Sequence, residues 1–152
     1  MSQYPTYYDT HTDIVGKTPS KVPIRVLVVD DHHLVRESYI FFLSHCPDIE
    51  VVDEARNGVE AITLCRRLKP HVILMDVIMP LLDGIQATRM IHAVYPKVSI
   101  IALTGFNDEE LAQEAIQAGA VTCLSKQTDM LELLKIIRTV AIIDPHESND
   151  QR

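Results

Sequence analysis

No apolar run in this chain approaches the ~20 residues needed to cross a bilayer. The amino terminus has no basic segment leading into an apolar stretch, which argues against export. Basic residues are outnumbered: 14 Lys and Arg face 21 Asp and Glu, for a net charge of −7. That balance disfavours direct nucleic-acid binding, which needs a basic face. Cysteine is sparse, and Cys46, Cys65 and Cys123 form no CxxC pair. In apolar or helical surroundings they are expected to be buried thiols in a reducing cytoplasm, with no disulfide framework. There is no internal repeat and no low-complexity tract. What is present is 152 residues with 47% hydrophobic content, enough for one globular domain with a buried core.

The organising stretch is Val26-Leu27-Val28-Val29-Asp30-Asp31, an apolar run that ends in two adjacent carboxylates. Its lack of alternation predicts a strand buried on both faces. Val72-Ile73-Leu74-Met75-Asp76 repeats the design with one aspartate. Placed side by side and parallel, the two strands bring three carboxylates to one edge of the sheet. At about 4 Å and an effective dielectric near 20, each like-charged pair repels by roughly 4 kcal/mol. A cation must sit among them.

Residues 1–22 are polar, carry Pro5, Gly16 and Pro19, and are expected to form a flexible leader in which Tyr4, Tyr7 and Tyr8 are exposed. From residue 23 to 143 strands and helices alternate. The first strand, Ile24 to Val29, is followed by a helix from about His33 to His45, with Leu34, Ile40, Phe41 and Leu43 as apolar contacts and Pro47 as its stop. Ile49 to Ala55 alternates and carries acids, which suits a sheet edge, so Asp53 and Glu54 read as edge charges. Asn57 caps a helix that includes Val59, Ile62, Leu64, Cys65 and Leu68. After the strand His71 to Met75, Asp83 caps a helix with Ile85, Met90, Ile91 and Val94; Met79 and Met90 read as core or loop packing.

Val98 to Leu103 is a fourth buried run, ending in Thr104-Gly105. Asn107 and Glu110 have the form of a capping box for a helix that stops at Gly119. Val121 to Leu124 is the last strand, ending in Ser125-Lys126, and Thr128 or Asp129 opens a final helix bearing Leu131, Leu134, Ile137 and Val140. Residues 144–152 read as a polar tail. Five β-α units at this spacing demand a parallel sheet with helices on both faces.

Every polar residue that interrupts an apolar run does so at the same edge: Asp30, Asp31, Asp76, Thr104 and Lys126. Carboxylates suit a hard ion such as Mg²⁺, and a hydroxyl with an ammonium can hold the oxygens of an anion. A phosphoryl group is the sensible anion beside such a metal, with one aspartate as its acceptor. The adjacent His32-His33 pair reads as a helix start, since neighbouring side chains diverge and no further ligands stand at matching spacing.

On these residues the chain resembles a CheY-like receiver domain of a two-component response regulator. Asp76-Val-Ile-Met-Pro-Leu-Leu-Asp-Gly84 matches the family's phosphoacceptor loop, and Asp30-Asp31-His32-His33-Leu34-Val35-Arg36-Glu37 resembles the NarL/LuxR-type subfamily. The resemblance implies a flavodoxin-like (βα)5 three-layer sandwich whose five-stranded parallel sheet has the order 2-1-3-4-5. It implies that Asp76 accepts a phosphoryl group from a histidine kinase and that Mg²⁺ or Mn²⁺ is held by Asp31, Asp76 and the backbone carbonyl of Ile78, with Asp30 acting through water. Lys126 pairs with the carboxylate and later with the phosphoryl group, while Thr104 carries the switch. A homodimer and a transcriptional output through a separate DNA-binding domain also belong to that expectation; a stand-alone relay receiver is the alternative.

The chain departs from the family pattern in places. Cys123 stands where many receivers carry an aromatic switch residue, and it reads as a small apolar filler. Gln127 replaces a proline that often follows the lysine, and a cis bond there would cost about 3 kcal/mol without it. Ile78 and Phe106 put apolar groups where hydrolysis is modulated, so a long-lived aspartyl phosphate is expected. Turnover phosphohydrolases of the aspartyl-phosphate kind commonly carry a second acid where Ile78 stands, which ranks that function last.

Overall fold

The five apolar runs form β1 (Ile24–Val29), β2 (Ile49–Ala55), β3 (Val72–Asp76), β4 (Ser99–Thr104) and β5 (Thr122–Ser125). Between and after them lie α1 (His33–Ser44), α2 (Gly58–Leu68), α3 (Gly84–Val94), α4 (Glu109–Ala118) and α5 (Met130–Val140). A computed structural model describes residues 22–105 and 107–143; the leader through residue 21, with Tyr4, Tyr7 and Tyr8, the tail from residue 144, and Phe106 lie outside the described residues.

All strand pairings are parallel, in the order β2-β1-β3-β4-β5. Burial on both faces follows from the twofold alternation of side chains. Leu27, Val29, Ile73, Met75, Ile100 and Ala102 pack with Ala61 and Cys65 of α2, Ile91 of α3 and Ala115 of α4. Val26, Val28, Val72, Leu74, Ile101 and Leu103 pack with Tyr39 and Leu43 of α1 and Leu133 and Ile137 of α5. The result is three layers. The acidic strand β2 lies at an edge, and its pairing with β1 shifts register between Val26 and Leu27, where Val52 is the extra residue.

The helix starts show where local chemistry prevails. Asn57 accepts from the Glu60 amide at 2.9 Å, and Asp83 from the Gln86 amide at 2.8 Å. Asp129, rather than Thr128, caps α5 through the Leu131 amide at 2.9 Å. The cap of α4 is Asp108, not Asn107: its carboxylate accepts from the amides of Glu110 and Leu111 at 3.1 and 3.2 Å. A charged oxygen meets the positive end of a helix better than a neutral amide does, so the start moves one residue on. Gly119 ends α4 with φ of 121°, a conformation that disfavours side chains.

The buried stripe of α1 differs from the expectation. Arg36, Tyr39 and Leu43 face inward, whereas Leu34 and Phe41 are 77% and 70% exposed. A 3.6-residue period allows only one set inside, and the sheet selects the set spaced 36, 39, 43. Met90, Val59 and Leu131 are likewise exposed, while Met79 is buried.

Candidate functional site

The strand order reverses between β1 and β3, because the chain moves from β1 outward to β2 and then back to β3 on the other side. Their carboxyl ends therefore open a crevice. Asp30 leaves β1, Asp76 is the last residue of β3, Thr104 is the last of β4, and Lys126 follows β5. The expected set converges here. Asp30, Asp76 and Thr104 are buried, Asp31 and Lys126 half-buried.

Lys126 is the cation demanded by the carboxylates. Its Nζ lies 2.8 Å from Asp30 Oδ2 and 3.1 Å from Asp76 Oδ1. Its backbone amide donates to the Thr104 carbonyl at 2.7 Å, which ties the loop after β5 to the end of β4. None of the described peptide bonds is cis, so the bond after Lys126 is trans, and Gln127 N–H donates to Ser125 Oγ at 3.1 Å. Burial alone would lower the Lys126 pKa; hydrogen bonding to Asp30 and the charges of Asp76 and Asp30 outweigh it and leave the ammonium above its usual range. Asp76 moves the other way from a simple ion pair. Burial first, and then the Asp30 charge, push its carboxyl up to about 6 against the relief supplied by Lys126. One ammonium cannot satisfy three carboxylates.

Ion pairs aside, three buried carboxylate oxygens of the site lack a hydrogen-bond partner among the described residues: Asp30 Oδ2, which the Lys126 ammonium faces at 2.8 Å, Asp31 Oδ1 and Asp76 Oδ2. Ligand atoms of Asp30, Asp31, His32 and Asp76 all lie within 4.8 Å of one another. This donor set fits a hard divalent cation. Ile78 is 66% exposed beside it, and its amide approaches Asp76 Oδ1 at a long 3.4 Å. Cys123 is half-buried, packs against the core on the α4 side, and has its thiol pKa raised by burial, as suits a packing residue. With Thr104 and Ala112 it lines a cleft of about 310 Å³. A larger cleft of about 560 Å³, lined by Lys69, His71, Tyr95 and Ile142, sits at the opposite end of the strands and shares no residue with the acids.

One participant was not singled out from the sequence, and another was read there only as a helix start. Arg36 is 5% exposed; its Nη1 donates to the Asp30 carbonyl at 2.8 Å and its Nε to Glu54 Oε1 at 2.9 Å. Glu54 is thus more than an edge charge. The available signal was a charge on the same helical stripe as Tyr39 and Leu43, since a buried arginine requires partners. Arg36→Ala is expected to cost about 2 kcal/mol, the loss of a buried donor plus packing, discounted for the exposed side of Glu54. Urea unfolding measures it; an unchanged midpoint contradicts the assignment. His32 is the second. It occupies the N-cap of α1 without a side-chain cap bond, and its Nδ1 lies 3.3 Å from Asp30 Oδ1 and 3.2 Å from Asp31 Oδ1.

Comparison with known proteins agrees with this geometry. The response regulator receiver domain family matches residues 26–138. The transcriptional regulatory protein LiaR of Bacillus subtilis is 42% identical over 122 residues, which cover 80% of this chain and 58% of LiaR. The response regulator GacA of Pseudomonas protegens is 39% identical over 77% of this chain and 55% of its own. The chain spans a little over half the length of these relatives. Among solved structures, the response regulator domain of Thermotoga maritima CheB superposes with a TM-score of 0.74 at 35% identity, covering 81% of this chain and 99% of that one. The receiver domain of NarL from Mycobacterium tuberculosis gives 0.73 at 30% identity, covering 78% and 95%. By sequence and by fold, this chain belongs to the response regulator receiver domain family.

Proposed function

We propose that this chain is the phosphorylation switch of a two-component pathway, with residues 23–143 as the receiver and Asp76 as the acceptor. The observation that carries it is a buried carboxylate with an unpartnered oxygen, Asp76 Oδ2, held beside two further acids and a single ammonium. A sensor histidine kinase in the cytoplasm, or a small phosphodonor, supplies the phosphoryl group. Asp76 attacks phosphorus in line as the bond to the donor breaks.

Asp31, Asp76 and the Ile78 carbonyl would hold Mg²⁺ or Mn²⁺, with Asp30 reaching it through water. When bound, the cation supplies positive charge to the phosphoryl oxygens. Lys126 does two things: it keeps Asp76 from full repulsion before transfer and donates to a phosphoryl oxygen after it. Thr104, at the end of the adjacent strand, then turns toward the new group. Cys123 offers no ring to follow that movement, so the change passes through the β4–α4 connection and the cleft beside it. Phosphorylation thereby shifts an equilibrium between surfaces that govern self-association or partner binding. The resemblance to LiaR and GacA supports a transcriptional output for the whole regulator.

The test is acetyl phosphate with intact-mass detection. The wild type is expected to gain one phosphoryl group only when Mg²⁺ is present, and Asp76→Ala none; labelling of Asp76→Ala to the same extent refutes the assignment. The exposed Ile78 cannot orient an attacking water, so the phosphate should persist. Ile78→Asn is expected to speed its loss on the order of tenfold, read by following dephosphorylation after donor removal, and identical decay would discard that role.

A further inference from the structure

We propose that His32 is a nitrogen ligand of the divalent cation, so that this receiver has a mixed oxygen–nitrogen site favouring Mn²⁺ over Mg²⁺ relative to acids alone. The inference rests on the reading of the acidic crevice as a metal site and adds a residue to it. His32 Nδ1 lies 3.3 Å from Asp30 Oδ1 and 3.2 Å from Asp31 Oδ1. Adjacent ligands of an octahedral ion with bonds of about 2.1 Å are separated by about 3.0 Å. The imidazole already stands at nearly that separation from the Asp31 carboxylate.

Further observations favour a shared ligand over a simple surface contact. Asp31 Oδ1 is buried, and His32 Nδ1 stands 3.2 Å from it. The backbone holds the arrangement, because His32 N–H donates to Asp30 Oδ1 at 2.8 Å. The ring also forgoes the capping role its position offers. A carboxylate oxygen of the buried Asp76 completes a cluster within 4.8 Å. Mn²⁺ shares the oxygen preference of Mg²⁺ but, as a first-row transition ion, accepts an imidazole nitrogen more readily than Mg²⁺ does. An imidazolium resting on two acids is the competing account. With a ring 68% exposed it would be a weak ion pair.

The two accounts separate in the Mn²⁺-loaded full chain. Pulsed electron paramagnetic resonance is expected to show imidazole ¹⁴N modulation in wild type and in His33→Ala, whose ring pairs with Glu37, and to lose it in His32→Ala. Calorimetric titration is expected to show Mn²⁺ affinity falling about tenfold in His32→Ala, with Mg²⁺ affinity changed less than about twofold. Mn²⁺ bound through oxygen alone in wild type, or equal Mn²⁺ affinity in wild type and His32→Ala, overturns the role of His32 while leaving the acidic site intact. Undiminished binding of both ions to Asp31→Ala overturns the metal site itself, and the His32 proposal with it.

Discussion

Asp76→Asn stabilises the metal-free protein at neutral pH by about 2–3 kcal/mol, at the same time as it removes the phosphoryl acceptor. The argument is one of linkage. The carboxyl of Asp76 has an ordinary pKa of 3.8 and is raised to about 6 in the folded protein, by burial first and then by the charge of Asp30. Between those values the folded state holds the proton more firmly than the unfolded chain. This contribution to stability is therefore complete below 3.8 and is lost as pH rises through about 6. Above that, an ionised Asp76 is a liability that Lys126, already 2.8 Å from Asp30, only partly offsets. Asparagine has the same shape and no charge to bury. Urea midpoints in chelator should separate wild type from variant at pH 7.5 and bring them together near pH 4. Magnesium should narrow the gap at pH 7.5 by stabilising wild type more than the variant, which has lost one ligand. Equal midpoints at pH 7.5 in chelator would show that the acids do not repel as their burial requires.

The second large effect is at Gly84. A β-carbon there would stand 1.9 Å from the carbonyl oxygen of Asp76 and 2.9 Å from the Val77 α-carbon. Both are main-chain atoms, so no rotamer change relieves the overlap. The same glycine donates its N–H to the Val77 carbonyl at 2.8 Å, which closes the loop from β3 into α3. Gly84→Ala must displace the strand end that presents Asp76, or the helix start capped by Asp83. We expect a loss of about 4 kcal/mol or more and, in whatever fraction folds, slower labelling by acetyl phosphate. Gly105→Ala is the control, since a β-carbon there meets nothing within 4 Å. If Gly84→Ala unfolds at the same urea concentration as Gly105→Ala, the close packing of this loop is not a constraint.

Much of the architecture could be read along the chain. Unbroken apolar runs ending in Asp30, Asp76 and Thr104 mark central parallel strands, because a strand covered on both faces leaves polar groups a place only where it exits. Caps at Asn57 and Asp83 are local chemistry, satisfied within three residues, and so could be assigned without knowing the fold. Partnerships across the sheet could not. Lys126 is nearer Asp30 than Asp76, Arg36 is buried against Glu54, and His32 leans on the acids instead of capping its helix. Each depends on which face of α1 meets the sheet and on the register among β1, β2 and β5, and neither quantity is written in any one segment. Residue type alone misleads for the same reason. Leu34 and Phe41 are apolar yet exposed, and Arg36 is charged yet buried, because packing geometry chooses a helical face as a whole and then supplies its one charge with partners.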